Sequence, residues 1–217
     1  MESQNLYHVM FDIDGTLVQS YDFDEQIYAC AVEQVIGFKI DRDWSQYENV
    51  TDAGILNELI ELHDLNRQKE TILRNVKRIF IREVSNHISK NPVKEIPGAI
   101  SFIKHLSGLD NVIVSFATGG WYETAVLKLN SAGFNNSTDI ISSSDDHFKR
   151  TKIMAISRAR HPAYSDASCT YFGDGIWDKK ACEELNINFV LVGNRATHNQ
   201  RINDFNSVNE AMAYIGL

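Results

Sequence analysis

Four short apolar runs, each ending in a turn rich in Gly, Asp or Asn, constrain this chain more than any other feature. Leu6–Phe11 runs into Asp12-Ile13-Asp14-Gly15-Thr16, and Asn111–Ala117 runs into Thr118-Gly119-Gly120. Cys169–Phe172 runs into Gly173-Asp174-Gly175, and Ile187–Val192 runs into Gly193-Asn194. Near-continuous apolar strands of this length fit a parallel sheet covered on both faces. Helical spacing fills the intervals at Ala99–Leu106, Trp121–Ala132, Thr151–Arg160, Asp178–Leu185 and Val208–Ile215. Strand–helix alternation of this kind predicts an α/β fold with a doubly wound parallel sheet.

Residues 19–95 break that rhythm. They hold no convincing strand but three amphipathic helical patterns, Phe23–Ile36, Ala53–His63 and Arg67–Ile88. Pro97-Gly98 marks the return to alternation. The expected organisation is a core of residues 1–18 and 96–217, interrupted by an all-α helical bundle at 19–95. A chain of 217 residues has room for one core plus such an insert.

Composition excludes several classes. With 29 Asp and Glu against 21 Lys and Arg, the formal charge is −8, the wrong sign for a nucleic-acid or anionic-membrane surface. No apolar run reaches the roughly 18 residues of a spanning helix, and Met1–Asn5 lacks a signal-peptide pattern. Cys30, Cys169 and Cys182 form no CxxC and cannot all pair, which suits a reducing compartment. A cytoplasmic monomer or homodimer without nucleic-acid or membrane partners is expected.

Ligands of open α/β sheets bind outside the carboxyl ends of the strands. Three of the four runs deliver polar groups there: Asp12 and Asp14, Thr118, and Asp174 with Asp178. Carboxylates buried together repel one another unless a cation or proton intervenes. Hard oxygen donors of this kind suit Mg²⁺ shared with a phosphate. Helix capping is the plain alternative for each Asp, and for Asp178 alone it is an equal reading. Capping does not require separate strand ends to converge, so it does not account for Asp12, Asp14 and Asp174 together.

These residues carry a resemblance. Asp12-Ile13-Asp14-Gly15-Thr16-Leu17-Val18 resembles the first signature of the haloacid dehalogenase superfamily of phosphohydrolases. Ser115-Phe116-Ala117-Thr118-Gly119-Gly120 resembles its second motif, and Gly173-Asp174-Gly175-Ile176-Trp177-Asp178 its metal-binding GDGxxD motif. Order and spacing match over essentially the whole chain, and the helical block is similar to the inserted cap of phosphoglycolate-phosphatase-like members. The resemblance implies a Rossmann-like core and a Mg²⁺-dependent phosphatase acting on a small phosphorylated metabolite. Asp12 would be the nucleophile forming an aspartyl-phosphate, and Asp14 the acid and base. Asp12, the Asp14 carbonyl and Asp174 would hold Mg²⁺, with Asp178 in support. Gly15 would clear space for the phosphate, Thr118 would offer its hydroxyl, and the amides of Gly119 and Gly120 would favour the anion.

The third motif, a Lys or Arg before a core helix, is irregular here. Lys149, Arg150 and Lys152 compete for it, and counting back from Ile153 leaves Lys149 and Arg150 level. Lys152 reads as a solvated helix residue. His63, His87, His105, His147, His161 and His198 form no metal spacing, and Trp121 and Trp177, each directly after a motif, read first as packing residues and second as lining the site. The turn Val50–Ile55 reads first as a helix N-cap at Thr51 or Asp52, and second as a substrate-facing element. A phosphomutase would keep the same residues and return the phosphoryl group to a substrate hydroxyl. From another class, a non-catalytic phosphate-binding or receiver-like module also gathers aspartates around Mg²⁺, but it lacks a helical insert. A dehalogenase reading is opposed by Asp14, two residues after the nucleophile.

Overall fold

The structure, a computed structural model, describes residues 5–134 and 141–217. Its strands are β1 (Tyr7–Phe11), β2 (Val112–Ala117), β3 (Ile141–Ser142), β4 (Ser168–Gly173), β5 (Asn188–Val192) and β6 (Arg201–Ile202). They form one parallel sheet in the order β3-β2-β1-β4-β5-β6. The chain runs outward from β1 through β2 to β3, then crosses back to β4 on the other side of β1. The sheet therefore has its topological switch point between β1 and β4. All four long strands fall on the apolar runs of the sequence. The two-residue strands β3 and β6 are too short to leave a periodic signal.

Alternation along β1 separates two cores, because successive strand residues point to opposite faces. Val9 and Phe11 pack with Phe102, Phe172 and Phe205 on one face, while Met10 packs with Ile153, Met154 and Tyr171 on the other. The layers are supplied by α4 (Ala99–Ser107), α5 (Tyr122–Ala132), α6 (Arg150–Ala159), α7 (Ile176–Leu185) and α8 (Val208–Ile215). Among the described residues, no helix is long and apolar enough to cross a membrane.

Between β1 and α4 lie α1 (Tyr21–Ile36), α2 (Asp52–Leu62) and α3 (Lys69–Lys90). On α3 the buried residues Ile72, Val76, Ile79, Phe80 and Val84 recur at helical spacing and leave the basic face outward. They close a third hydrophobic cluster with Tyr28, Trp44 and Leu56. The chain leaves and rejoins the core at one point. Val18 bridges Glu95, the Gln19 N–H donates to the Lys94 carbonyl at 2.9 Å, and the Ile96 N–H donates to the Leu17 carbonyl at 2.7 Å. Trp121 of the core is buried inside the helical block's cluster, so its role is packing. Lys77 leaves the basic face of α3 to bridge Glu123, at 2.8 Å, and Asp145 of the core.

His8, on the Met10 face of β1, is buried against the Ser115 hydroxyl at 2.7 Å. Burial, aided by the charges of His161 and Arg158, lowers its pKa to about 4. The folded pKa lies below the unfolded value of about 6.5, so the unfolded chain takes up the proton first as pH falls. Stability from this group is complete above about pH 6.5 and is lost toward pH 4, by about 2–3 kcal/mol. Chemical unfolding of His8→Gln at pH 7.5 and 4.5 should therefore show a smaller acid loss than wild type. An equal loss in both proteins would assign the acid sensitivity elsewhere.

Candidate active site

The carboxyl edge of β1 positions the first acidic group. The Asp12 N–H donates to the Phe172 carbonyl at 2.9 Å, so Asp12 lies beside the end of β4 at the switch point. The chain then turns tightly, with the Leu17 and Val18 N–H groups both donating to the Ile13 carbonyl at 2.9 and 3.1 Å. Gly15 makes the turn possible. Its φ of +76° favours glycine, and a Cβ there would collide with the Asp174 carboxylate.

Asp12, Asp174 and Asp178 are buried, and one oxygen from each lies within 4.8 Å of the others. Burial pushes the Asp12 carboxyl well above its usual range; Asp178 adds to this and Arg150 opposes it. Burial, then Asp178, raises Asp174 to about 7. The Asp174 Oδ2 is buried without a hydrogen-bond partner, its nearest cation being the Arg195 Nε at 3.6 Å. Bare, mutually repelling carboxylate oxygens fit a hard divalent cation such as Mg²⁺. Asp178 accepts the Gly175 N–H at 3.0 Å at the start of α7 and also faces Arg150.

Of the competing cations, only Arg150 enters the cluster. Its guanidinium lies 2.8 Å from Asp178 and 3.5 Å from Asp12, and donates to the Val50 carbonyl at 3.1 Å. Lys149 is the extended N-cap residue of α6, and its ammonium points outward, 3.9 Å from Glu48. The structure thus leaves Lys149 outside the cluster and Lys152 exposed. The backbone at the α6 N-cap turns these neighbours in different directions. Thr118 is buried at the end of β2, and its hydroxyl accepts the Gly120 N–H at 3.1 Å. That bond engages the Gly120 amide, and α5 begins only at Tyr122, so the expected anion-binding pair of amides is not laid out as a simple helix start. Gly119 contributes closeness instead, since a Cβ there would meet the Arg150 guanidinium.

Lys128 escaped the sequence reading. Fully buried on α5, its ammonium lies 2.7 Å from Asp14 and 2.8 Å from Asp24 of α1. Burial opposes its charge, but the two carboxylates outweigh this and raise its pKa. Ser20 donates to the other Asp14 oxygen. The available signal was spacing. Thr124, Ala125, Lys128 and Leu129 are the buried positions of α5, which puts the lysine on the inward face.

These groups open into a cleft. Its inner end carries Asp12, Thr118, Arg150 and Asp174; its outer end carries Tyr21, Tyr28, Trp44 and Trp177. Trp177 therefore lines the cleft rather than serving only in packing. The turn after Val50 is a helix cap, and it also borders the cleft. The Thr51 hydroxyl accepts the Gly54 N–H at 2.9 Å as a helix cap, while Asp52 faces the cleft.

Fold and site together define an α/β protein whose buried carboxylates and guanidinium meet at a switch point beneath a helical block. The chain belongs to the haloacid dehalogenase-like hydrolases, whose family description it matches over residues 9–192, and it is an enzyme of that family. It is similar in structure to a β-phosphoglucomutase from Clostridium difficile at 15% identity and a TM-score of 0.72, with 97% of each chain covered. A putative phosphoglycolate phosphatase from Lactobacillus plantarum is similar at 17% identity and a TM-score of 0.64, covering 95% of this chain and 99% of that one. CbbY from Rhodobacter sphaeroides, in complex with phosphate, is similar at 12% identity and a TM-score of 0.66, covering 97% and 99%. No curated protein matches the chain. Family membership removes the receiver-like reading.

Replacing Lys128 with Met leaves two carboxylates facing each other in a buried site. The variant should lose about 3–5 kcal/mol in urea unfolding, and Asp24→Asn added to it should restore part of that loss. A loss under about 1 kcal/mol would mean that the ion pairs contribute little.

Proposed function

We propose that this chain is a Mg²⁺-dependent phosphatase that hydrolyses a small phosphorylated metabolite through an aspartyl-phosphate on Asp12. The observation that carries the reading is Asp12 itself. It lies at the switch point, buried beside Asp174 and Asp178, with the Arg150 guanidinium 3.5 Å away and the cleft in front of it. A carboxylate oxygen of Asp12 attacks phosphorus as the ester P–O bond breaks, and Asp14 gives the leaving alcohol its proton. Water then attacks the same phosphorus, Asp14 takes its proton, and phosphate leaves with Asp12 restored. Ser20 and Lys128 hold Asp14 at the cleft throughout. Thr118 and Arg150 bind the phosphoryl oxygens, Arg150 with a permanent charge and a planar fork. Asp12, the Asp14 carbonyl and Asp174 would hold Mg²⁺, Asp178 supporting them, and the ion would neutralise charge on the phosphoryl group. Gly15, Gly119 and Gly120 keep the floor of the cleft low enough for the phosphate. Residues 19–95 act as the cap and residues 1–18 with 96–217 as the catalytic core. Cap contacts at Thr51, Asp52 and Val50 exclude water, which strengthens every charge interaction inside.

Asp12→Asn should abolish Mg²⁺-dependent release of phosphate from p-nitrophenyl phosphate while leaving the circular dichroism spectrum unchanged. Wild-type turnover in that variant would refute the nucleophile. Arg150→Ala should lower kcat/KM by about a hundredfold or more, whereas Lys149→Ala should change it less than about threefold. The reverse ranking would return the third-motif role to Lys149. Isomerisation of a sugar phosphate without phosphate release would identify a mutase.

A further inference from the structure

The chemistry of a phosphatase says where its alcohol must lie. The ester oxygen leaves opposite the attacking Asp12, so the alcohol portion of the substrate occupies the outer end of the cleft. The carboxyl groups of Asp24, Glu25 and Asp52 line the cleft, Asp52 beside Asp14 and Thr118, and Glu25 among the aromatic side chains. Lys128 is already shared by Asp14 and Asp24, and among the described residues neither Glu25 nor Asp52 has an ion-pair partner. The Glu25 carboxylate accepts the Trp44 indole N–H at 3.0 Å, and Asp52 accepts the Trp121 backbone N–H at 2.8 Å. The neutral indole donor holds the Glu25 carboxylate in place without cancelling its charge, whereas burial raises the Asp52 pKa well above its usual range.

The walls are aromatic. Tyr21, Tyr28, Trp44 and Trp177 line the same end, with Tyr28 and Trp44 meeting edge to face at 6.1 Å. One of these faces already holds a cation, since the Arg195 guanidinium stacks over the Tyr21 ring. Aromatic faces combined with carboxylates attract a desolvated ammonium group and have little to offer an anion.

We infer that the preferred substrate is a phosphate monoester whose alcohol carries an ammonium group, held by Tyr28, Trp44, Trp177 and Glu25. This inference rests on the phosphatase reading and adds the substrate class to it. It sets the chain apart from a phosphatase for carboxylate-bearing esters, because such an ester would place its own carboxylate against Asp24, Glu25 and Asp52.

Phosphocholine and 3,3-dimethylbutyl phosphate test it, since they share one shape and differ in having N⁺ or carbon at the branch. Wild-type enzyme with Mg²⁺ should hydrolyse phosphocholine with a kcat/KM about tenfold or more above that of the neutral ester, with phosphoglycolate below both. Glu25→Gln and Trp177→Leu should each reduce that ratio by about threefold or more, and a ratio is insensitive to the fraction of protein folded. Calorimetry on Asp12→Asn protein with Mg²⁺ should show the same order of binding without turnover. Equal values for the two isosteres, or a preference for phosphoglycolate, would overturn the inference. Hydrolysis of p-nitrophenyl phosphate by the same preparation would then leave the phosphatase reading standing. Failure on p-nitrophenyl phosphate would instead strike the phosphatase reading, while the calorimetric order still decides the ammonium site.

Discussion

Two buried cations make the rest of this structure possible. Asp12 and Asp178 share the Arg150 guanidinium, and Asp14 and Asp24 share the Lys128 ammonium. Each carboxylate loses hydration on burial, and a group left alone there would protonate or force the site open. A single guanidinium between two carboxylates offsets only part of that cost, which is why Asp12 and Asp178 still sit above their ordinary pKa range. The remaining instability is directed at one place, the bare Asp174 oxygen and its neighbours, where a divalent cation would relieve it. Charge, more than shape, distinguishes the inner end of the cleft.

The same cations join the two hydrophobic bodies. Arg150 reaches from α6 to the Val50 carbonyl, and Lys128 reaches from α5 to Asp24 on α1. Around them the Thr51 hydroxyl donates to the Phe148 carbonyl at 2.6 Å, and the Ala53 N–H donates to Ser144 at 2.9 Å. Helical block and core are otherwise connected covalently at a single paired crossing, Val18 beside Glu95. Away from the cleft, Trp121 inside the block's cluster and the Lys77 ion pairs to Glu123 and Asp145 add to these contacts. Arg150, Val50 and Asp52, which make several of the rest, also line the cleft.

Legibility of this arrangement in the sequence followed signal length and charge economy. β1, β2, β4 and β5 were readable because a strand buried on both faces must be a continuous apolar run. β3 and β6, with two residues each, give no run at all. Asp12 and Asp174 were readable because each ends such a run, and adjacency of β1 and β4 then brings them together. Choosing between Lys149 and Arg150 was not possible from order alone, because one residue of helix phase at the α6 N-cap separates outward from inward. Lys128 was hidden by its type. A lysine in an amphipathic helix ordinarily reads as solvated, and its burial depends on Asp14 and Asp24, which are 114 and 104 residues away.

The distribution of charge along the cleft has a further consequence for how such an enzyme handles an anion. Arg150 faces Asp12 and Asp178, and the carboxyl groups of Asp24, Glu25 and Asp52 line the same cleft. On the proposed reading, a phosphate monoester meets these carboxyl groups on entry, and its phosphoryl group is drawn to Arg150 and to the place where a metal ion would lie. An ammonium on the alcohol reverses that first encounter, because it is drawn to the aromatic and carboxylate walls while the phosphoryl group is drawn inward. The substrate is then oriented by its own dipole before any close contact forms. On the same reading, inorganic phosphate carries no ammonium group and gains nothing from the aromatic and carboxylate walls.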